Sequence, residues 1–163
     1  MELFNAYYES PLGLLQLTGN QYALTGLRFV EDVVQDISCP LPPPLKAVVC
    51  WLDDYFANRK PLPDTLSLQP GGTPFQIDVW EQILRIPYGQ TITYGQIAAS
   101  IAKKRGISHM SAQAVGQATG NNPIPIIIPC HRVIGANGKL TGYAGGIHRK
   151  IQLLEHELVT VQK

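Results

Sequence analysis

Apolar positions in the first third of the chain fall in short extended runs. "LFNAYYE", "GLLQLT" and "ALTGLRFV" are rich in strand-forming residues, and the turn stretches "SPLG" and "TGNQ" separate them. The pattern predicts a meander of three antiparallel strands. Proline-rich "CPLPPPL" then breaks the chain ahead of "KAVVCWLDDYFANR". In that segment Val48, Val49, Leu52, Tyr55 and Phe56 recur at helical spacing, with Asp53 and Asp54 turned outward. Cys50 and Trp51 of the same helix read as core. A boundary is expected at "LQPGGTP": Gly71 and Gly72 loosen the chain, and Thr73 and Pro74 suit an N-cap and a first helical position. Residues 1–70 are therefore expected to form an α/β domain of small antiparallel sheet plus helix.

From residue 71 to 163 the period changes from two to 3.6. "FQIDVWEQILRI" puts Phe75, Val79, Trp80, Ile83 and Leu84 on one face, and Pro87 ends it. A second short helix is expected to begin near Thr93, in "TYGQIAASIAKK", and a third in "SAQAVGQATG". The third helix is unusual: Ala112, Ala114, Gly116, Ala118 and Gly120 leave almost no side-chain bulk. Each glycine inside a helix costs roughly 1 kcal/mol relative to alanine. Close approach to another backbone would compensate, either a packed neighbouring helix or a ligand. Two short helices joined by a turn, the first ending in Lys103, Lys104 and Arg105, predict a helix-turn-helix facing nucleic acid. The chain has no internal repeat.

Composition narrows the class. Hydrophobic content of 45% with 15% charged residues in 163 residues is that of a soluble globular protein with a real core. No apolar run approaches the roughly 18 residues of a membrane span. The start, "MELFNAYYES", carries no secretory pattern, and Cys39, Cys50 and Cys130 cannot all pair. A reducing, cytoplasmic setting with free thiols is expected. The formal charge of +1 conceals an asymmetry: residues 1–70 carry −4 and residues 71–163 carry +5. A basic second half suits a polyanion.

Candidate chemistry gathers at "IPIIIPCHRVIG". A lone cysteine is by default a packing residue. Metal ligation is weak here, because there is no Cys-x-x-Cys and all four histidines (His109, His131, His148, His156) are scattered through the second half. A nucleophile gains from His131 beside Cys130, since an imidazole able to take the thiol proton supplies thiolate. In extended chain the two side chains would diverge and a water would have to relay the proton. Pro129 and Gly135 point to a shaped turn instead. The residues alone leave packing and nucleophile both open.

"PIPIIIPCHRVIG" resembles the active-site signature of the O6-alkylguanine-DNA alkyltransferases. "IPYGQTITYGQIA", "AVGQATGNNPIPIIIPCHRVIG", "LTGYAGG" and "LLEHE" resemble further blocks of that family, in its order and spacing, across residues 75–157. The resemblance implies a mostly helical, winged-helix-like second domain that places its small-faced helix in the minor groove of DNA and flips out the damaged guanine. It implies stoichiometric, cofactor-free and metal-free transfer of the alkyl group from guanine O6 to Cys130. The expected partner of a monomeric protein is double-stranded DNA carrying O6-alkylguanine, with O4-alkylthymine as a further candidate lesion.

By resemblance, His131 is the base acting through a water and Glu157 holds and polarises it, so that Glu157→Gln should slow transfer more than it destabilises. Asn122 braces the turn before the active site. Tyr94 donates to guanine N3, the Val133 carbonyl accepts from the exocyclic amine, and Pro125 and Tyr143 wall the pocket. DNA-facing residues are Ala112, Gln113, Ala114, Gly116, Lys103 and Lys104. Gln113 stands where familiar members carry an intercalating arginine. Ala144 stands where some carry a serine, leaving a backbone N–H as donor to O6. The segment "SIAKKRGISHMSAQ" is longer than in some relatives. Two alternatives stay open: a lesion-binding sensor that transfers nothing, and a Cys–His hydrolase. The intact Cys130 speaks against the first, and the second lacks any sign of an oxyanion site.

Overall fold

The computed structural model describes residues 2–34 and 36–159. The chain divides into two compact units, Met1–Gly71 and Gly72–Lys163.

In the first unit, strands β1 (Phe4–Ser10), β2 (Gly13–Gly19) and β3 (Leu24–Val30) form one antiparallel sheet in sequence order. Leu15 and Leu17 on β2 and Leu27 on β3 are buried with Leu45, Val48, Leu52 and Tyr55 of helix α1 (Pro43–Phe56). Two details differ from the sequence reading. Helix α1 starts inside the proline run, because Pro43 and Pro44 occupy a first turn whose N–H groups have no intrahelical acceptor anyway. Cys50 is exposed, not core, because it falls between the inward-facing Val48 and Trp51–Leu52 on the outer side of the helix.

The second unit is mostly helical: α2 (Pro74–Leu84), α3 (Tyr94–Arg105), α4 (Ala112–Gly120) and α5 (Ile147–His156). Both α2 and α3 begin with a capping box, Thr73 with Gln76 and Thr93 with Gln96, which satisfies orphan N–H groups reciprocally. Helix α3 stops at Gly106, whose φ of +67° gives the left-handed cap that a side chain would strain. Ser111 caps α4. Helices α3 and α4 form the expected helix-turn-helix. Val79, Trp80 and Ile83 of α2 share its core with Ile97, Ile101 and Val115, and Trp80 Nε1 donates to the Ala118 carbonyl at 2.9 Å. No described helix is long and apolar enough to cross a membrane.

Helix α5 and a short parallel ladder escaped the sequence reading. Strands β4 (Ile92–Thr93) and β5 (Val133–Ile134) pair in parallel, Ile92 opposite Val133 and Thr93 opposite Ile134. This short ladder sets the start of α3, and with it Tyr94, beside the segment that follows Cys130.

Candidate active site

The chain leaves α4 at Asn121 and enters "NPIPIIIPC", a buried segment from Ile124 to Cys130. Asn122 shapes it from within. Its Oδ1 accepts from Ile124 N at 2.9 Å and its Nδ2 donates to the Ile128 carbonyl at 2.8 Å. Between these anchors Ile126 sits at φ +73°, a conformation costly for a β-branched residue that the surrounding bonds must impose. Cys130–Arg132 then make one 3₁₀ turn, with Arg132 N donating to the Pro129 carbonyl at 2.9 Å. Neighbours on a turn point in different directions, so Cys130 and His131 have separate surroundings.

His131 is fully buried, and its Nε2 lies 2.5 Å from a carboxylate oxygen of Glu157. That carboxylate is also held by residues the sequence reading missed. Arg132 donates to it through Nε at 2.7 Å and Nη2 at 3.2 Å, and Gly89 N donates at 3.1 Å. Gly89 stands at φ +80°, where a side chain would be strained. Arg132 Nη1 also donates to the Ile86 carbonyl at 2.7 Å, and its guanidinium lies over the Tyr88 ring.

Burial acts to raise Glu157, but its hydrogen bonds and charge interactions with His131 and Arg132 prevail and hold the carboxyl well below the usual carboxylate range. Burial pushes His131 the other way, below its ordinary value, so it is neutral near pH 7. Arg132 already balances the Glu157 charge. A neutral imidazole donating from Nε2 leaves the Nδ1 lone pair as its basic site. Among the described residues Nδ1 has no hydrogen-bond partner.

Cys130 is a buried thiol whose pKa is pushed up to about 11, chiefly by burial, against the lowering influence of Asn122 and the Lys150 cation. It therefore rests as thiol near neutral pH. Lys150, also missed from the sequence, is fully buried on α5 and donates to the carbonyls of Val133 at 2.7 Å and Thr141 at 3.1 Å. Burial lowers its own pKa to about 8.

A cleft of about 1050 Å³ opens beside this network. The structure brings Tyr94, Ala112, Gln113, Gly116, Tyr143 and Ala144 together in its lining. Pro125 and Val133 are buried instead, and the Val133 carbonyl has one lone pair taken by Lys150. Burial is the main cause that raises Tyr94 and Tyr143. On α4, Ala112, Gln113 and Gly120 are exposed, while Val115, Ala118 and Thr119 face the core. A Cβ at Gly120 would meet nothing within 4 Å, and one at Gly116 would make only ordinary contact with the Tyr94 ring at 3.8 Å. Packing within the unit does not require either glycine. Ala114 is half-buried. Lys104 is turned from α4 toward α2, with Asp78 at 3.1 Å and Glu81 at 3.9 Å, so its charge is shared; Arg105 also binds Asp78, and Lys103 is exposed. No metal-binding group of three or more His, Cys, Asp or Glu side chains occurs among the described residues.

Comparison with known proteins bears on both units. Residues 74–159 match the family model of the 6-O-methylguanine DNA methyltransferase DNA binding domain, and residues 3–70 that of its ribonuclease-like domain. A methylated-DNA–protein-cysteine methyltransferase of Mycobacterium tuberculosis H37Rv is 47% identical over 152 residues, covering 91% of this chain and 88% of the relative. That of Mycobacterium leprae is 42% identical over 158 residues, covering 93% and 92%. Among solved structures, Mycobacterium tuberculosis OGT in complex with DNA superposes with a TM-score of 0.77 at 46% identity, covering 93% of this chain and 90% of that one.

Proposed function

The chain belongs to the 6-O-methylguanine DNA methyltransferase family, and from that membership we propose that it repairs DNA by moving the alkyl group of O6-alkylguanine onto Cys130. It acts as a methylated-DNA–protein-cysteine methyltransferase, as a cytoplasmic monomer on duplex DNA, and each molecule works once. O4-alkylthymine is a second lesion of the same chemistry.

Helix α4 enters the minor groove with its exposed small face, and Gln113 at its first turn fills the space of the extruded base. The groove is about 6 Å wide, so a helix without bulk on that face can lie deep in it. The flipped base occupies the cleft lined by Tyr94 and Tyr143. Tyr94 donates to N3, the second lone pair of the Val133 carbonyl accepts from the exocyclic amine, and the Ala144 backbone N–H meets O6.

The Cys130 proton passes, through a water, to Nδ1 of His131, whose Nε2–H stays on Glu157. The resulting thiolate attacks the alkyl carbon in line. A sulfur–carbon bond forms as the carbon–O6 bond breaks, and the electron pair leaves with guanine, where Tyr94 stabilises it as a general acid. The Lys150 cation favours the charge on sulfur.

One observation supports this reading above the others: a buried thiol is next in the chain to a buried histidine whose Nε2 is held by Glu157 and whose Nδ1 is left open. The test is stoichiometry. With excess O6-methylguanine duplex, transfer should stop at one equivalent per protein, and Cys130→Ser should transfer nothing while still binding DNA. Continued turnover would overturn the reading.

A further inference from the structure

Tyr94 is fixed from three sides. Its backbone opens α3 behind the Thr93–Gln96 capping box, its ring lies along Gly116 of α4, and its hydroxyl oxygen accepts a hydrogen bond from Thr141 Oγ1 at 3.0 Å. Thr141 is itself anchored, since its carbonyl and that of Val133 are both held by the buried Lys150 ammonium. That ammonium also lies 5.9 Å from the centre of the Tyr94 ring. Both Tyr94 and Thr141 line the cleft.

We infer that Thr141 is a positioning residue for transfer: its hydroxyl occupies a lone pair of the Tyr94 oxygen and so aims the single Tyr94 proton at the base in the cleft. This rests on the reading of Tyr94 as donor to that base.

A tyrosine hydroxyl has one proton and two acceptor positions. Unconstrained, that proton turns between the two in-plane directions, and only one of them serves the ligand. A donor fixed on one side removes that orientation and leaves the proton on the other. Accepting a hydrogen bond also polarises the phenol toward donation, because linked hydrogen bonds strengthen one another. The nearby cation acts in the same sense by stabilising negative charge that gathers on the oxygen as it donates. Thr141 touches no reacting atom in this account; it acts through Tyr94.

The test is a double-mutant cycle read by single-turnover transfer from O6-methylguanine duplex. Thr141→Val keeps the shape and removes the hydroxyl. It should slow transfer roughly three- to tenfold, the size of one neutral hydrogen bond, with an unchanged melting temperature because the side chain is exposed. Thr141→Ser should restore most of the rate. In a Tyr94→Phe background, Thr141→Val should change the rate less than about twofold, since the group it acts through is gone. Equal slowing in both backgrounds, or no slowing in either, would overturn the inference and leave the role of Tyr94 standing. Faster transfer by Thr141→Val would overturn it too, because Tyr94 would then be donating to Thr141. A native rate for Tyr94→Phe alone would remove the role of Tyr94 and the inference with it.

Discussion

Helix α4 and the Cys130 turn are near neighbours in sequence and are built in opposite ways. The outer face of α4 is exposed and uncharged, with Gln113 and Gln117 set among alanine and glycine, and a Cβ at either glycine would meet ordinary contact at most. The Cys130 turn and its partners are buried, and each charge there has a named counterpart: Glu157 with Arg132 and His131, Lys150 with two carbonyls. One region carries two helix-weakening glycines that its own packing does not require. The other spends desolvation to fix a few polar groups in one arrangement. The roles proposed for the two, admitting DNA and holding a thiol ready, make these different demands. The contrast yields predictions of different kinds for the two regions.

The largest effect is expected at Glu157. Glu157→Gln leaves the Arg132 guanidinium buried without a counter-charge, which should cost roughly 3–5 kcal/mol, measurable by urea denaturation. The sequence reading expected this change to slow transfer more than it destabilises. Arg132 changes that balance. A cost below about 1 kcal/mol would mean that solvent reaches the network and that the two regions differ less than they look.

The same network should set the acid limit. His131 is lowered when folded, so the unfolded chain takes up its proton first and stability begins to fall as pH drops through about 6.5. Glu157 is also lowered. Its contribution is complete above about 4.3 and is lost as pH falls toward its folded value. Melting temperature should therefore decline in two stages on acidification, and Glu157→Gln should shrink the second, leaving the smaller part that comes from Asp78, which Arg105 and Lys104 also hold low. A flat profile would contradict the assignment of both groups.

On α4 the sign reverses. Gly116→Ala should raise stability by up to about 1 kcal/mol, because the added methyl group makes only ordinary contact with Tyr94. Transfer from duplex DNA should slow, while transfer from free benzylguanine stays near the native rate. A destabilised variant, or equal slowing of both reactions, would mean that this glycine serves the fold. The smallest effect is expected at Gln113. Gln113→Arg should speed the duplex reaction a few-fold by a better stacking wedge, and Gln113→Ala should slow it, with the free-base reaction indifferent to both. If both substrates respond alike, residue 113 is not the wedge.

Much of the architecture is legible in the sequence because it rests on local periodicity. The three strands, the amphipathic α2 and the caps at Thr73 and Thr93 all follow from residues a few positions apart. Helix α5 was not read from the sequence, although Ile147, Ile151 and Leu154 stand at helical spacing; only its "LLEHE" block was singled out, by resemblance. The candidate site was legible where a motif carried it, at Cys130, His131, Asn122 and Glu157. What periodicity cannot show is pairing at a distance. Lys150 reads as one more solvated cation of a basic half, yet it is buried on carbonyls of Val133 and Thr141. Lys104 reads as a DNA contact, and the sequence does not show that its ammonium also stands 3.1 Å from Asp78 and 3.9 Å from Glu81. Cys50 reads as core from residue type alone and lies outside because the helical phase puts it there.

The central claim is that chemistry belongs to the buried turn and not to the most accessible sulfur. Cys39 and Cys50 are exposed, and Cys130 is buried with its thiol pKa pushed up to about 11. Solution reagents should favour the first two, whereas alkylated DNA should choose the third. Peptide mapping by mass spectrometry after one equivalent of O6-methylguanine duplex decides the matter. The account predicts a methyl group on Cys130 alone, with Cys39 and Cys50 unmodified. A methyl group on either exposed cysteine, or demethylated DNA with no methyl group on the protein, would contradict it.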